Sequence, residues 1–125
     1  MGEPEAATMG EPKQKDDASS VHQLDKLYGT VVSRRGADPS SSWTAKLLSK
    51  GVPKCAQKVG EEAVEVVIEA VRADKESLVK ESADLLYHLT VLWAAAGVEP
   101  SEVYDELARR EGTSGIAEKN SRTNS

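Results

Sequence analysis

Residues 75–96 read KESLVKESADLLYHLTVLWAAA, and this stretch decides the fold. From Leu85 onward the residues are apolar on almost every side, which predicts a helix buried in a core or between subunits. The first half nevertheless carries Glu81 and Asp84 at a spacing that places both on one helix face. Carboxylates that enter an apolar environment must be paired, protonated or bound to a metal. The pattern therefore predicts a functional acidic pair at the entrance of a buried helix.

The preceding segment supplies a matching acidic stripe. Its glutamates recur at spacings of three and four residues and share one broad helix face: Glu61, Glu62 and Glu65. Asp74 is a suitable cap for the helix that follows, and the short connection makes the two helices antiparallel neighbours. Several carboxylates then converge. Two like unit charges about 4 Å apart repel by about 4 kcal/mol at an effective dielectric of about 20. Oxygen ligands of this kind select a hard divalent cation, usually Mg²⁺ where phosphates are bound.

Each of these residues also has a simpler interpretation. The glutamate stripe alone is typical of a solvated helix surface with weak ion pairs, and only the acidic pair of the next helix favours a metal site. His88 is a candidate ligand or base, but we expect a buried core histidine because an all-oxygen site needs no imidazole. We expect Cys55 to be a small packed residue, and Trp43 and Trp93 to pack rather than to stack on a base.

The remaining apolar positions also follow helical spacing and require no strand. We predict helices over residues 21–35, 43–50, 53–73 and 75–96, and a last clear helix that begins at Pro100. Short connections between long helices predict an all-α fold, an antiparallel helical bundle of four to five helices completed by subunit association. The predicted domain spans residues 21–122, between a disordered N-terminal tail over 1–20 and a C-terminal tail over 123–125.

Composition bounds the class of protein. A chain of 125 residues with a net charge of -5 forms one domain and lacks the basic surface that nucleic acid requires. Its single cysteine excludes an intramolecular disulfide and a thiolate metal site. Without a secretory leader or an apolar run of membrane length, we expect a cytoplasmic protein with no membrane partner.

The acidic motifs resemble those of a known superfamily. Lys58-Val-Gly-Glu-Glu62 followed by Glu65, and then Glu81-Ser-Ala-Asp84, resemble the signature of the MazG-type all-α nucleoside-triphosphate pyrophosphohydrolases. Further segments are similar to one member, the phosphoribosyl-ATP pyrophosphohydrolase family: residues 42–51, residues 54–60, and RREGTSG at 109–115 with 117–119 and Arg122. The likeness covers about residues 22–122.

The resemblance implies a reaction and a set of functional residues. The reaction is Mg²⁺-dependent hydrolysis of the α–β phosphoanhydride of phosphoribosyl-ATP to phosphoribosyl-AMP and pyrophosphate, the second step of histidine biosynthesis. The implied metal ligands are Glu62, Glu65, Glu81 and Asp84, and the implied catalytic set is Glu61, Glu62 and Glu65, with Glu61 a fifth ligand or the group that orients water. The implied substrate-binding residues are Lys54, Lys58, Arg109, Arg110, Ser114, Gly115, Lys119 and Arg122. Family membership also implies a homo-oligomer, at least a dimer, with no stable hetero-partner required.

Two other functions stay open. A housekeeping pyrophosphatase that destroys non-standard nucleoside triphosphates would use the same acids without needing the basic segment 109–122, which by itself is also typical of a frayed C-terminus. A non-enzymatic helical dimerisation module would leave the acids as surface charge.

Overall fold

The computed structural model describes residues 12–112, with side chains from Gln23 onward. This range forms five helices and no strand: α1 (Pro12–Ser33), α2 (Trp43–Lys50), α3 (Val52–Val71), α4 (Lys75–Ala96) and α5 (Pro100–Glu111). The predicted all-α class is confirmed, whereas completion of the bundle by a second subunit stays a prediction. None of the described helices combines the length and the hydropathy needed to cross a bilayer.

Only one helix boundary departs far from the expected position. The helix predicted to begin at Val21 begins at Pro12 and so runs through part of the segment assigned to the tail. Residues 12–20 carry no apolar stripe, so periodicity could not locate this start, although Pro12 suits the first position of a helix. Residues 1–11 and 113–125 lie outside the described residues, and the domain limits at 21 and 122 stay predictions.

The turn between α3 and α4 fixes how these two helices pair. The N–H of Ala73 donates to the Ala70 carbonyl at 3.1 Å, and the N–H of Asp74 donates to the Glu69 carbonyl at 3.2 Å. This is a Schellman arrangement, with Ala73 in the left-handed region at φ 60° where glycine is usual. The Asp74 side chain then accepts from Ser77 N–H at 3.0 Å and caps α4 as predicted. A connection this short makes α3 and α4 extensively paired antiparallel neighbours.

A single glycine joins α2 to α3. Gly51 adopts φ 85° and ψ 179°, a region of backbone conformation that is essentially restricted to glycine. Its N–H donates to the Leu48 carbonyl at 3.2 Å and its carbonyl accepts from Cys55 N–H at 3.2 Å, so it ends one helix and begins the next. The fully buried Leu47 and the buried Cys55 thereby come together, with the Cys55 thiol donating to the Leu47 carbonyl at 3.4 Å. Cys55 is the packed residue that the sequence predicts.

The small core lies where α1, α2, α3 and the second half of α4 meet. Its buried members are Val31, Leu47, Cys55, Val91 and Ala94. Arg35 fastens the end of α1 to this core by donating to the Ala94 carbonyl at 2.7 Å. Helix α5 packs along α1, with Tyr104 donating to Asp25 at 3.2 Å. The core therefore occupies one end of the α3–α4 pair and leaves its other end with less cover.

Candidate functional site

Three carboxylates converge on the α3–α4 pair. Glu62 projects from α3, Glu81 and Asp84 project from α4, and one oxygen of each lies within 4.8 Å of the others. Glu62 and Glu81 are half-buried, whereas Asp84 is exposed. The capped turn at Asp74 sets this register, because the helical spacing on each side of it brings Glu62 opposite Glu81. The arrangement is a half-open, all-oxygen site.

The electrostatics of this cluster favour a bound cation. Desolvation raises the pKa of Glu81, and the neighbouring charges of Asp84 and Glu62 and a hydrogen bond with Glu62 raise it further. These causes favour the protonated form of Glu81 more than in a free glutamate. Carboxylate oxygens so close together suit a hard divalent ion, which would relieve the repulsion among them without a proton. The residues present fit a divalent cation of the Mg²⁺ class.

The other two predicted acids are placed differently. Glu65 is exposed and lies outside this cluster of ligand atoms, although its charge also helps to raise the pKa of Glu81. Glu61 accepts from Gln57 at 2.8 Å and pairs with the Lys58 ammonium at 3.1 Å, and both contacts lower its pKa. The structure thus groups three of the predicted acids, leaves Glu65 beside them and directs Glu61 toward Lys58. The catalytic and ligand roles of Glu61 and Glu65 stay predictions.

His88 is the core histidine that the sequence predicts. Its side chain is 8% exposed, and Nδ1 donates to the Asp84 carbonyl at 2.9 Å. Nε2 is buried and has no hydrogen-bond partner within the described residues. This contact ties the histidine to the backbone of a cluster residue, so His88 helps to fix the helix beneath Asp84.

Comparison with known proteins settles the family. The model of the phosphoribosyl-ATP pyrophosphohydrolase family matches residues 24–111, a range that includes all of these acids. The chain belongs to the phosphoribosyl-ATP pyrophosphohydrolase family. It is 65% identical over 107 residues to the phosphoribosyl-ATP pyrophosphatase of Azospirillum brasilense, a match that covers 86% of this chain and 96% of that relative.

Two further relatives carry the same description. The phosphoribosyl-ATP pyrophosphatase of Parvibaculum lavamentivorans is 59% identical over 105 residues, covering 84% of this chain and 96% of the relative. That of Cereibacter sphaeroides is 64% identical over 96 residues, covering 77% and 93%. As a member of this pyrophosphohydrolase family, the chain is an enzyme of the hydrolase class.

The predicted phosphate-binding residues of this family member fall into two groups. Lys54 and Lys58 are half-buried on α3, where Lys58 lies one turn and Lys54 two turns before Glu62. Arg109 and Arg110 are exposed at the end of α5, where both guanidinium groups bind Glu106, at 2.7 Å and 2.9 Å, and lower its pKa to about 2. The remaining four predicted residues lie outside the described range: Ser114, Gly115, Lys119 and Arg122.

The sequence did not predict that an exposed aromatic residue lies beside Lys58. Trp43, which we expected to pack, is 50% exposed. The ammonium groups of Lys46 and Lys58 each lie 6.0 Å from the centre of its ring. The expectation was wrong because Trp43 is the first residue of α2, where its side chain lies outside the helix face that carries the buried Ala45 and Leu47. The three-residue spacing from Trp43 to Lys46 was the available signal.

The acid cluster predicts an unusual response to neutralisation. In a chelator and at low ionic strength, Glu81→Gln should raise the melting temperature by a few degrees, because it removes like-charge repulsion from the folded state. The matched control Glu61→Gln should leave it unchanged or lower it, because this change removes an attractive contact with Lys58. Thermal unfolding followed by circular dichroism measures both. A melting temperature of Glu81→Gln that is unchanged or lower than that of the wild type would contradict the electrostatic interpretation.

The direction of the Glu81 pKa shift also gives the sign of the pH dependence. Between the ordinary value of 4.5 and the raised value, the folded protein binds more protons than the unfolded chain, so the free energy of unfolding decreases as pH rises. The advantage of Glu81→Gln over the wild type should therefore be small below that ordinary value and should widen above it.

Proposed function

We propose that this chain hydrolyses the α–β phosphoanhydride of phosphoribosyl-ATP, releasing pyrophosphate and leaving phosphoribosyl-AMP, as the second step of histidine biosynthesis. We further propose that the reaction depends on Mg²⁺ held by Glu62, Glu81 and Asp84. The convergence of these three carboxylates within 4.8 Å is the observation that carries the proposal. The family match and the substrate named in the descriptions of its relatives support the choice of phosphoribosyl-ATP.

In this proposal, each charged residue near the cluster has a different role in the reaction. When bound, Mg²⁺ neutralises phosphoryl oxygens and lowers the pKa of a coordinated water. We assign Glu65 to accept the proton of the attacking water, because it adjoins the cluster and has no hydrogen bond or ion pair with another described residue. Lys54 and Lys58 supply positive charge to the remaining phosphate oxygens. The phosphates compete with Glu61 for Lys58, so in this scheme Glu61 holds that ammonium group in position before substrate binds.

Pyrophosphate release tests the reaction directly. Purified protein with phosphoribosyl-ATP and Mg²⁺ should give equimolar phosphoribosyl-AMP and pyrophosphate, and chelation of the metal should stop the reaction. Glu81→Gln and Asp84→Asn should each lower kcat/KM by at least about 100-fold, equivalent to about 2.7 kcal/mol of lost transition-state stabilisation.

The matched control is Glu76→Gln. Glu76 lies on the same helix as the two cluster acids, but its side chain is 85% exposed and pairs with Lys80 at 4.0 Å. Its replacement should leave the rate within about twofold. Equal turnover of ordinary deoxynucleoside triphosphates would instead favour a housekeeping pyrophosphatase, and activity that survives both cluster substitutions would show that the site lies elsewhere.

We also propose that the protein is a homodimer paired through the exposed face of α3 and α4. Helix α3 exposes a stripe at spacings of three and four residues, formed by Val64, Val67, Ile68 and Val71. Helix α4 adds Val79 and Leu86, two turns apart and 62% and 44% exposed. Exposed apolar side chains at helical spacing are typical of an interaction site, and covering their exposed surface would stabilise association. A second copy presents an identical face and suits a two-fold interface.

Light scattering coupled to size exclusion tests the dimer. At micromolar concentration, the wild type should elute with twice the mass of one chain, and Val67→Glu should elute as a monomer, since a charge at that position would be desolvated in the interface. Leu107→Glu is the matched control, because Leu107 is 61% exposed but lies on α5. A monomeric wild type, or dimers in both variants, would reject this interface. The cytoplasmic location and the absence of other partners stay predictions.

A further inference from the structure

Trp43 stands out because it is large, apolar and only half covered. Its side chain is 50% exposed, although the neighbouring residues of α2 hold the helix firmly. Ala45 and Leu47 are buried in the core, and the Ser42 hydroxyl accepts from Ala45 N–H at 3.1 Å to cap the helix. The Thr44 hydroxyl is hydrogen-bonded to Tyr87 on α4. The indole is therefore presented to solvent from a fixed backbone.

Two ammonium groups lie beside the indole, and that of Lys58 also pairs with the Glu61 carboxylate at 3.1 Å. Lys46 Nζ and Lys58 Nζ each lie 6.0 Å from the ring centre, a distance at which an ammonium group is attracted to the ring face. An apolar partner surface that covered this ring would also have to desolvate the two lysines, which is costly. A partner that combines a flat ring with negative charge satisfies both requirements. A nucleotide is such a partner.

The position of this patch relative to the acids supports the same choice. Lys58 lies one helical turn before Glu62, and four residues of α-helix rise by about 6 Å. From the indole through Lys58 to the carboxylates, the groups thus run in the order aromatic, cationic, acidic. A nucleotide presents a base, then phosphates, and then the metal ion that its phosphates bind, in the same order.

We propose that Trp43 is a specificity-determining residue that stacks on the purine ring of the substrate, with Lys46 and Lys58 beside the phosphates that follow. The inference rests on the proposed function, since it places the base of that same substrate. Stacking of a base on an aromatic side chain is worth enough to change binding by at least about tenfold. Because the base does not react, the effect should fall mainly on KM.

Kinetics with phosphoribosyl-ATP and Mg²⁺ give the first test. Trp43→Leu should raise KM at least about tenfold and leave kcat within about threefold, whereas Trp43→Phe should recover most of the loss because its ring still stacks. Trp93→Phe is the control for loss of a tryptophan, because the half-buried Trp93 lies on the C-terminal half of α4 and should leave both constants unchanged. An unchanged KM in Trp43→Leu overturns the proposal.

Binding without turnover gives the second test and separates the two proposals. In the Trp93→Phe protein, Trp43 is the only tryptophan, so its fluorescence reports directly on the patch. AMP should quench that emission saturably, whereas ribose 5-phosphate, which lacks the base, should not. Equal quenching by both, quenching by neither, or emission that changes only with protein concentration overturns the proposal, and the last result assigns the indole to a contact between copies. If AMP quenches the tryptophan emission but the wild type fails to cleave phosphoribosyl-ATP, the proposed function alone is rejected.

Discussion

Mutual repulsion among Glu62, Glu81 and Asp84 is the constraint on which the site depends. One oxygen of each carboxylate lies within 4.8 Å of the others, and this proximity together with desolvation raises the pKa of Glu81. The fold maintains this repulsion by joining α3 to α4 through a turn too short to let them slide apart. The Schellman bonds at Ala73 and the Asp74 cap hold this register. In the proposed mechanism, the repulsion held by this register is relieved when a cation binds.

The rest of the molecule keeps that pair of helices in place without covering it. Buried side chains gather at the C-terminal half of α4, around Leu47, Cys55 and Val91. The faces of α3 differ in their contacts. One packs on α4 and α2, another carries Lys58 and the acids, and a third exposes valines and Ile68. Helix α3 thus carries part of the core, part of the acidic cluster and an exposed apolar stripe.

The sequence was sufficient for five helices and for three of the acids, Glu62, Glu81 and Asp84, because these depend on local spacing and a short turn. Periodicity located α2, α4 and α5, and the Glu81 and Asp84 spacing located the acidic cluster. Three features escaped it for physical reasons. The start of α1 at Pro12 lies in a segment without an apolar stripe, so periodicity could not locate it. The contact of Glu61 with Lys58 depends on rotamers, and the exposure of Trp43 depends on how α2 docks against the other helices.

Direct titration with Mn²⁺, a paramagnetic ion that binds the same hard oxygen ligands as Mg²⁺, tests the central claim most sharply. Electron paramagnetic resonance of free Mn²⁺ in the absence of nucleotide should show saturable binding to the wild type. Asp84→Asn should weaken that binding at least about tenfold, and Glu61→Gln should leave it within about twofold. Binding that is unaffected by Asp84→Asn, or absent from the wild type at millimolar metal, would contradict the claim that these two helices share one divalent ion.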